Sequence, residues 1–202
     1  MRKKSHKKVL IICSLLFVIA GTVFLFQFLF FYKWFNNFDV HFERLMIQEG
    51  RLPVTVTMYG RSVDTLSGRI AFYTADERLI GTIERSWTGW ELKIDCILVG
   101  SKNGWLVFPY QISTDETSRG KGIDAIPQYS RKGLPALYES ENLTDAERKN
   151  LKRLFRIVKT EQWLPDFFGS LYHQAVSIRS FEPGAEYYLY ISNDGKLSLR
   201  IY

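Results

Sequence analysis

The sequence predicts an α+β protein: an N-terminal transmembrane helix followed by an antiparallel β-rich extracytoplasmic domain with one main amphipathic helix. Three observations predict it. The run Val9 to Phe31 holds no charge and directly follows the basic cluster Arg2, Lys3, Lys4, Lys7 and Lys8. From Leu52 onward, apolar and polar residues alternate in short runs separated by turn residues, which is the pattern of half-buried strands. One stretch, 145 to 161, repeats its apolar residues at helical spacing, as an amphipathic helix does.

At about 1.5 Å per residue the uncharged run spans roughly 34 Å, enough to cross a hydrocarbon core of about 30 Å. A cleavable secretory signal has a shorter apolar region closed by small residues. Here the small pair Ala20-Gly21 lies in mid-run and the chain stays apolar beyond it, so an uncleaved anchor is expected. Ile12 before Cys13 is bulky where lipoprotein processing needs a small residue. Positive charge beside a first span holds that end in the cytoplasm. Residues 1–8 therefore read as a cytoplasmic tail, 9–31 as a signal anchor, 32–50 as a juxtamembrane segment and 51–202 as an extracytoplasmic domain, in a bacterial cell envelope. Tyr32, Lys33 and Trp34 supply the amphipathic rings and snorkelling cation of the far interface.

The formal net charge of +6 comes from 27 basic and 21 acidic residues. Without the five N-terminal cations, 22 basic residues face those 21 acids, and the body is nearly neutral. The basicity belongs to the tail, where anionic lipid headgroups are the expected partners, and gives no footprint for nucleic acid. Cys13 lies in the anchor and Cys96 in the body, so the domain closes no internal disulfide. About 160 residues suffice for a core without one.

Phe38, His41, Phe42, Leu45 and Met46 recur at helical intervals and predict a short helix over 36–50, its apolar side on the domain or on the membrane. Strands are expected from Leu52, over Arg69–Thr74, Leu79–Trp87, Trp90–Val99 and Trp105–Ile112. Ser113–Ser140, broken by Gly120, Gly122, Pro127, Gly133 and Pro135, reads as a long loop, either a docked binding element or a disordered stretch. Arg119, Lys121, Asp124 and Tyr129 are its candidate binding residues. Thr144-Asp145-Ala146-Glu147 forms a capping box opening the helix, and a second helical turn is expected near Asp166–His173. Ala175–Phe181, Glu186–Ile191 and Lys196–Tyr202 complete the strands, the last two joined by the turn Ser192-Asn193-Asp194-Gly195. Tyr187 to Tyr190 put aromatics on both faces of that hairpin.

Chemistry is sparse. His41 and His173 are the body's only histidines, which gives no metal-ligand spacing, and neither metal nor cofactor is expected. Cys96 with His173 is a conceivable nucleophile and base, but Cys96 lies between Ile94 and Leu98 in a strand, the setting of an inert thiol. Ser118-Arg119-Gly120-Lys121-Gly122 offers backbone donors and two cations to a phosphate without the spacing of a P-loop. The function expected is a non-enzymatic binding or scaffold domain held at the membrane, an envelope protein its candidate partner and the final hairpin or the long loop its means of capture. The competing expectation is a tethered hydrolase using the loop carboxylates Asp115, Glu116 and Asp124. Oligomeric state is open.

Overall fold

The computed structural model describes residues 13–26, 28–29, 42–101, 103–117, 121–161 and 171–201. Met1–Val40 and His41–Tyr202 form two compact units. In the first, residues 13–26 are helical, and the Thr22 hydroxyl donates to the Val18 carbonyl at 2.8 Å. Among the described residues no helix is long and apolar enough to cross a membrane. The expected span 9–31 is only partly covered, and Arg2, Lys3, Lys4, Lys7, Lys8, Tyr32, Lys33 and Trp34 lie outside the described residues.

The second unit is the α+β, antiparallel body. Its strands are β1 (Gly50–Ser62), β2 (Thr65–Tyr73), β3 (Leu79–Thr88), β4 (Leu92–Ser101), β5 (Gly104–Thr114), β6 (Ile123–Asp124), β7 (Ser130–Arg131), β8 (Leu134–Pro135), β9 (Leu171–Ile178), β10 (Glu186–Ile191) and β11 (Leu197–Ile201). A five-stranded sheet runs β11-β10-β1-β2-β3, a four-stranded sheet β6-β5-β4-β9, and β7-β8 forms a small ribbon. Helix α1 (Ile126–Tyr129), a 3-10 turn (Ala136–Tyr138) and helix α2 (Asp145–Glu161) complete it.

The helix expected over 36–50 differs. Residues 36–41 are not described, 43–45 form a turn, and Ile47 bridges Trp105. Phe42 is buried in the domain core. The helical turn expected near Asp166–His173 also changes: residues from Leu171 belong to β9, and 166–170 are not described.

Cys96, Ile97, Leu98 and Val99 on β4 are all fully buried, so this strand is covered on both faces and reads as a continuous apolar run. Register shows what covers each. Ile97 lies opposite Phe108 and His173, and the Phe108 ring packs 6.0 Å from Phe155 of α2. On the other face, Cys96 lies opposite Gln174, whose side chain reaches the β10–β11 turn, donating to the Gly195 carbonyl at 2.7 Å and accepting from the Leu197 amide at 3.1 Å. Trp105 donates from Nε1 to Asn193 O at 3.3 Å in the same turn. The four-stranded sheet is thus the middle layer, between α2 and the five-stranded sheet.

β5 pairs with β4 on one side, but β6 covers only Gln111 and Ile112 on the other. The rest of that edge is closed piecemeal. Trp105 exchanges both backbone bonds with Ile47. The Tyr138 hydroxyl donates to Val107 O at 2.9 Å and accepts from Val107 N at 2.5 Å. The Tyr129 hydroxyl donates to Pro109 O at 2.7 Å, and Tyr110 O accepts from Ala125 N at 2.9 Å. Two phenols therefore stand in for a missing strand, meeting the rule that buried backbone groups find partners. Beyond β5, the described residues up to 140 form a docked cover, with Ile126, Tyr129, Leu134, Leu137 and Tyr138 buried.

Helix α2 opens as the capping box requires. Glu147 N donates to Thr144 Oγ1 at 3.3 Å, and Thr144 N donates to Glu147 Oε2 at 2.9 Å. The Thr144 hydroxyl and then its backbone N–H hold the Glu147 carboxyl below the usual range. A depressed carboxylate contributes stability above its unfolded pKa and loses it as pH falls through the folded one. Glu147→Gln should therefore flatten the acid limb of the stability–pH curve below about pH 4.5. Urea midpoints between pH 3 and 7 check this, and an unchanged acid limb would refute it.

Candidate functional site

An open groove of roughly 630 Å³ lies between the start of β1, the β2–β3 turn and the 3-10 turn. That volume falls within the ordinary range of ligand pockets, roughly 300–1,000 Å³. Leu52 and Leu137 give it apolar lining, while Arg44, Arg51, Glu77 and Glu186 bring both signs of charge. It forms where the β1–β10 register jumps between Arg51 and Thr55, so the two strands part locally. Thr55 and Thr74, nearly buried, line it. The Thr74 hydroxyl accepts from Arg78 N at 3.1 Å and so fixes the β2–β3 turn.

In that turn Glu77 adopts φ 60°, the left-handed region that costs a side-chain-bearing residue about 1–2 kcal/mol. Glu77→Gly should raise stability by about 0.5–1 kcal/mol after the added chain entropy is counted. Thermal unfolding checks this, and a lower midpoint in the variant would show that Glu77 makes compensating contacts.

Beside the groove, the outer face of β10 carries a strip of tyrosine and arginine. The Tyr188 and Tyr190 rings meet edge-on at 6.3 Å. The Arg51 guanidinium lies 5.5 Å from the centre of Tyr188, and that of Arg200 lies 3.4 Å from the centre of Tyr190. The Tyr190 hydroxyl donates to Glu49 Oε1 at 2.5 Å, which is the main reason its phenol is shifted up. Asn193 donates to the other carboxylate oxygen at 2.8 Å. Tyr187, on the opposite face, is buried. Alternation of the tyrosines signalled aromatics on both faces, but the involvement of Arg51 and Arg200 follows from strand pairing that no local pattern encodes.

The loop residues separate. Tyr129 is fully buried and closes the β5 edge, so it is a core residue and offers no surface to a ligand. Asp124 accepts from Ile126 N, two residues on, at 2.9 Å. Lys121 is exposed at the rim of a smaller crevice, and Arg119 lies outside the described residues. Asp115 accepts from Trp90 N at 2.8 Å and Glu91 N at 3.1 Å. Desolvation pushes its carboxyl up, but those backbone donors together prevail and hold it below the usual range. Asp115 and Asp124 thus serve backbone turns.

Cys96 and His173 occupy opposite faces of the middle sheet, because His173 pairs with Ile97 and Gln174 with Cys96. Burial also pushes the Cys96 thiol far up, so no thiolate–imidazole pair forms. Trp87 is buried, whereas Trp90 is 46% exposed and lies under the Arg61 guanidinium at 5.2 Å. Among the described residues no group of three or more His, Cys, Asp or Glu could hold a metal ion.

Compared with known proteins, the chain matches no protein-family model, no curated protein and no solved structure.

Proposed function

We propose that this chain is a single-pass, membrane-anchored binding module whose β-rich domain lies on the extracytoplasmic side and takes a polypeptide partner of the envelope. The observation that carries the binding role is the strip Arg51, Tyr188, Tyr190 and Arg200 running beside the groove. Tyrosine and arginine are the residue types that most often dominate interface energies. A groove with both charge signs over apolar lining suits a peptide chain better than a uniformly charged ligand.

The anchor rests on the uncharged run behind the basic cluster and on the surface of helix 13–26. Phe17 is 81% exposed and Phe26 73%, and an all-round apolar helix is stable where hydrocarbon or protein covers it. The basic tail favours a cytoplasmic N-terminus and contact with anionic lipid.

Cross-linking in intact cells followed by co-purification tests this. The full chain, a version with residues 1–35 replaced by an unrelated anchor, and the double variant Arg51→Ala, Tyr190→Ala are compared. A stoichiometric protein partner should survive the anchor swap and be lost from the double variant, a hot-spot loss of about 30-fold or more. A partner that survives the double variant would remove the strip from the account. Protease protection placing the β-domain in the cytoplasm would overturn the orientation.

A further inference from the structure

The outward side of α2 carries one sign of charge. The residues between Glu147 and Glu161 include six cations, Arg148, Lys149, Lys152, Arg153, Arg156 and Lys159, and no acid. Two of the six serve the domain itself. Arg148 pairs with Glu139 at 3.2 Å, and Lys159 donates to Ser130 Oγ at 3.1 Å. The other four are exposed and make no ion pair among the described residues. At about 100° per residue, Lys149, Lys152, Arg153 and Arg156 fall within an arc of roughly 100° and along about 10 Å of the axis. The buried Leu151, Leu154 and Val158 lie on the opposite side. Asp145, in the first turn where a carboxylate suits the helix dipole, is the one described acid beside the stripe.

A helix meant only for water usually interleaves the two signs at a spacing of four. Here Lys149 has like-charged neighbours three and four residues on, at Lys152 and Arg153, and Arg156 closes the set with both of those. Each such pair weakens the helix. An anionic surface laid along the face relieves every one of these repulsions at once. The positive excess of the body resides in this stripe, since without it 18 basic residues would face 21 acids.

Two further observations select the kind of anion. Helix α2 is an outer layer, with its inner side on the middle sheet through Phe155 and Phe108, so its outward side can meet a flat surface. The chain between residues 29 and 42 extends by at most about 45 Å, which keeps an anchored domain at a high effective concentration of headgroups. Each Lys or Arg close to an anionic bilayer favours contact about fivefold.

We propose that the outward face of α2 docks on anionic lipid headgroups through Lys149, Lys152, Arg153 and Arg156, turning the tyrosine–arginine strip of the opposite layer away from the membrane. This inference rests on the membrane-anchored reading and adds to it the way the binding face is presented.

The full chain carrying Cys13→Ser, which leaves only the buried Cys96, is given one fluorophore at Ala146→Cys, beside the stripe, or at Thr82→Cys. Thr82 shares the outer sheet face with Tyr188, through the cross-strand row Tyr188, Thr55, Ala71 and Thr82. Both proteins are reconstituted in vesicles of phosphatidylcholine alone or with 30% phosphatidylglycerol, and energy transfer to a headgroup-labelled lipid is read. Anionic vesicles should raise transfer from position 146 at least threefold over neutral ones and leave position 82 low. Salt at 0.5 M should remove the difference, because it shortens the screening length. The variant Lys149→Gln, Lys152→Gln, Arg153→Gln, Arg156→Gln should lose it too, with an undiminished thermal midpoint reporting an intact fold. Equal transfer from both positions in anionic vesicles, or a difference that survives the four substitutions, would overturn the docking. Equal transfer together with tight binding of soluble polyglutamate would assign the stripe to an acidic polymer instead. Flotation with neutral vesicles reports the anchor alone: no flotation would overturn the anchored reading, whereas flotation with both reporters equally distant would overturn only this inference.

Discussion

Tyr138→Phe should destabilise the domain by about 2–4 kcal/mol, several times the usual effect of deleting one hydroxyl. The Tyr138 oxygen serves both backbone groups of Val107, and Val107 is buried on an edge with no neighbouring strand at that point. Phenylalanine keeps the ring contact with Phe108, now 5.5 Å, but orphans a donor and an acceptor together. Each orphan carries a desolvation penalty of about 1–3 kcal/mol. For a domain of this size the thermal midpoint should fall by about 10 °C. A loss under about 0.5 kcal/mol in urea unfolding would show that water replaces the hydroxyl and that the edge is not sealed. Burial raises the phenol pKa values of both Tyr129 and Tyr138.

Phe155→Ala should cost about 3–5 kcal/mol, the range for emptying a buried aromatic site. Phe155 is fully buried on α2. Its ring lies 6.0 Å from Phe108 and 5.7 Å from Tyr129, while Lys159 Nζ sits 4.5 Å from its centre on the way to Ser130 Oγ at 3.1 Å. The ring therefore joins α2, the middle sheet and the docked cover. Phe155→Leu refills much of the volume and should retain most of the stability, with a loss of about 1–1.5 kcal/mol. Because Phe155 also backs Tyr129, the double variant Phe155→Ala, Tyr129→Phe should lose less than the sum of the single losses, since neighbours in contact couple. Chemical denaturation of the four proteins measures the coupling, and strict additivity would separate the two sites.

Much of the body was legible because its signals are local. Alternation located the strands, and Glu186–Ile191 coincides with β10. The Thr144–Glu147 box fixed the start of α2, and its bonds form as the spacing requires. Strand order was not legible, since β1 pairs with β10 across most of the domain and no local pattern encodes such a partner. The stretch 113–140 looked like a loop because its elements run two to four residues, below the length at which periodicity shows. Tyr129 was misread for the same reason: a tyrosine closing a strand edge and a tyrosine facing a ligand look alike until the missing strand is known. The groove was invisible because the register jump that opens it involves two strands far apart in the chain.

The phenol-sealed edge also has a consequence for biogenesis. Tyr138 lies 31 residues after Val107, so a ribosome adding about 5–20 residues per second leaves β5 unfinished for about 2–6 seconds. Throughout that interval Leu106, Val107 and Phe108 form a β-prone apolar segment with an open hydrogen-bonding side, the kind of template on which a neighbouring nascent chain can add a strand. Yield in vivo should therefore depend on translation speed between codons 107 and 138, a demand placed on the messenger by two hydroxyl groups.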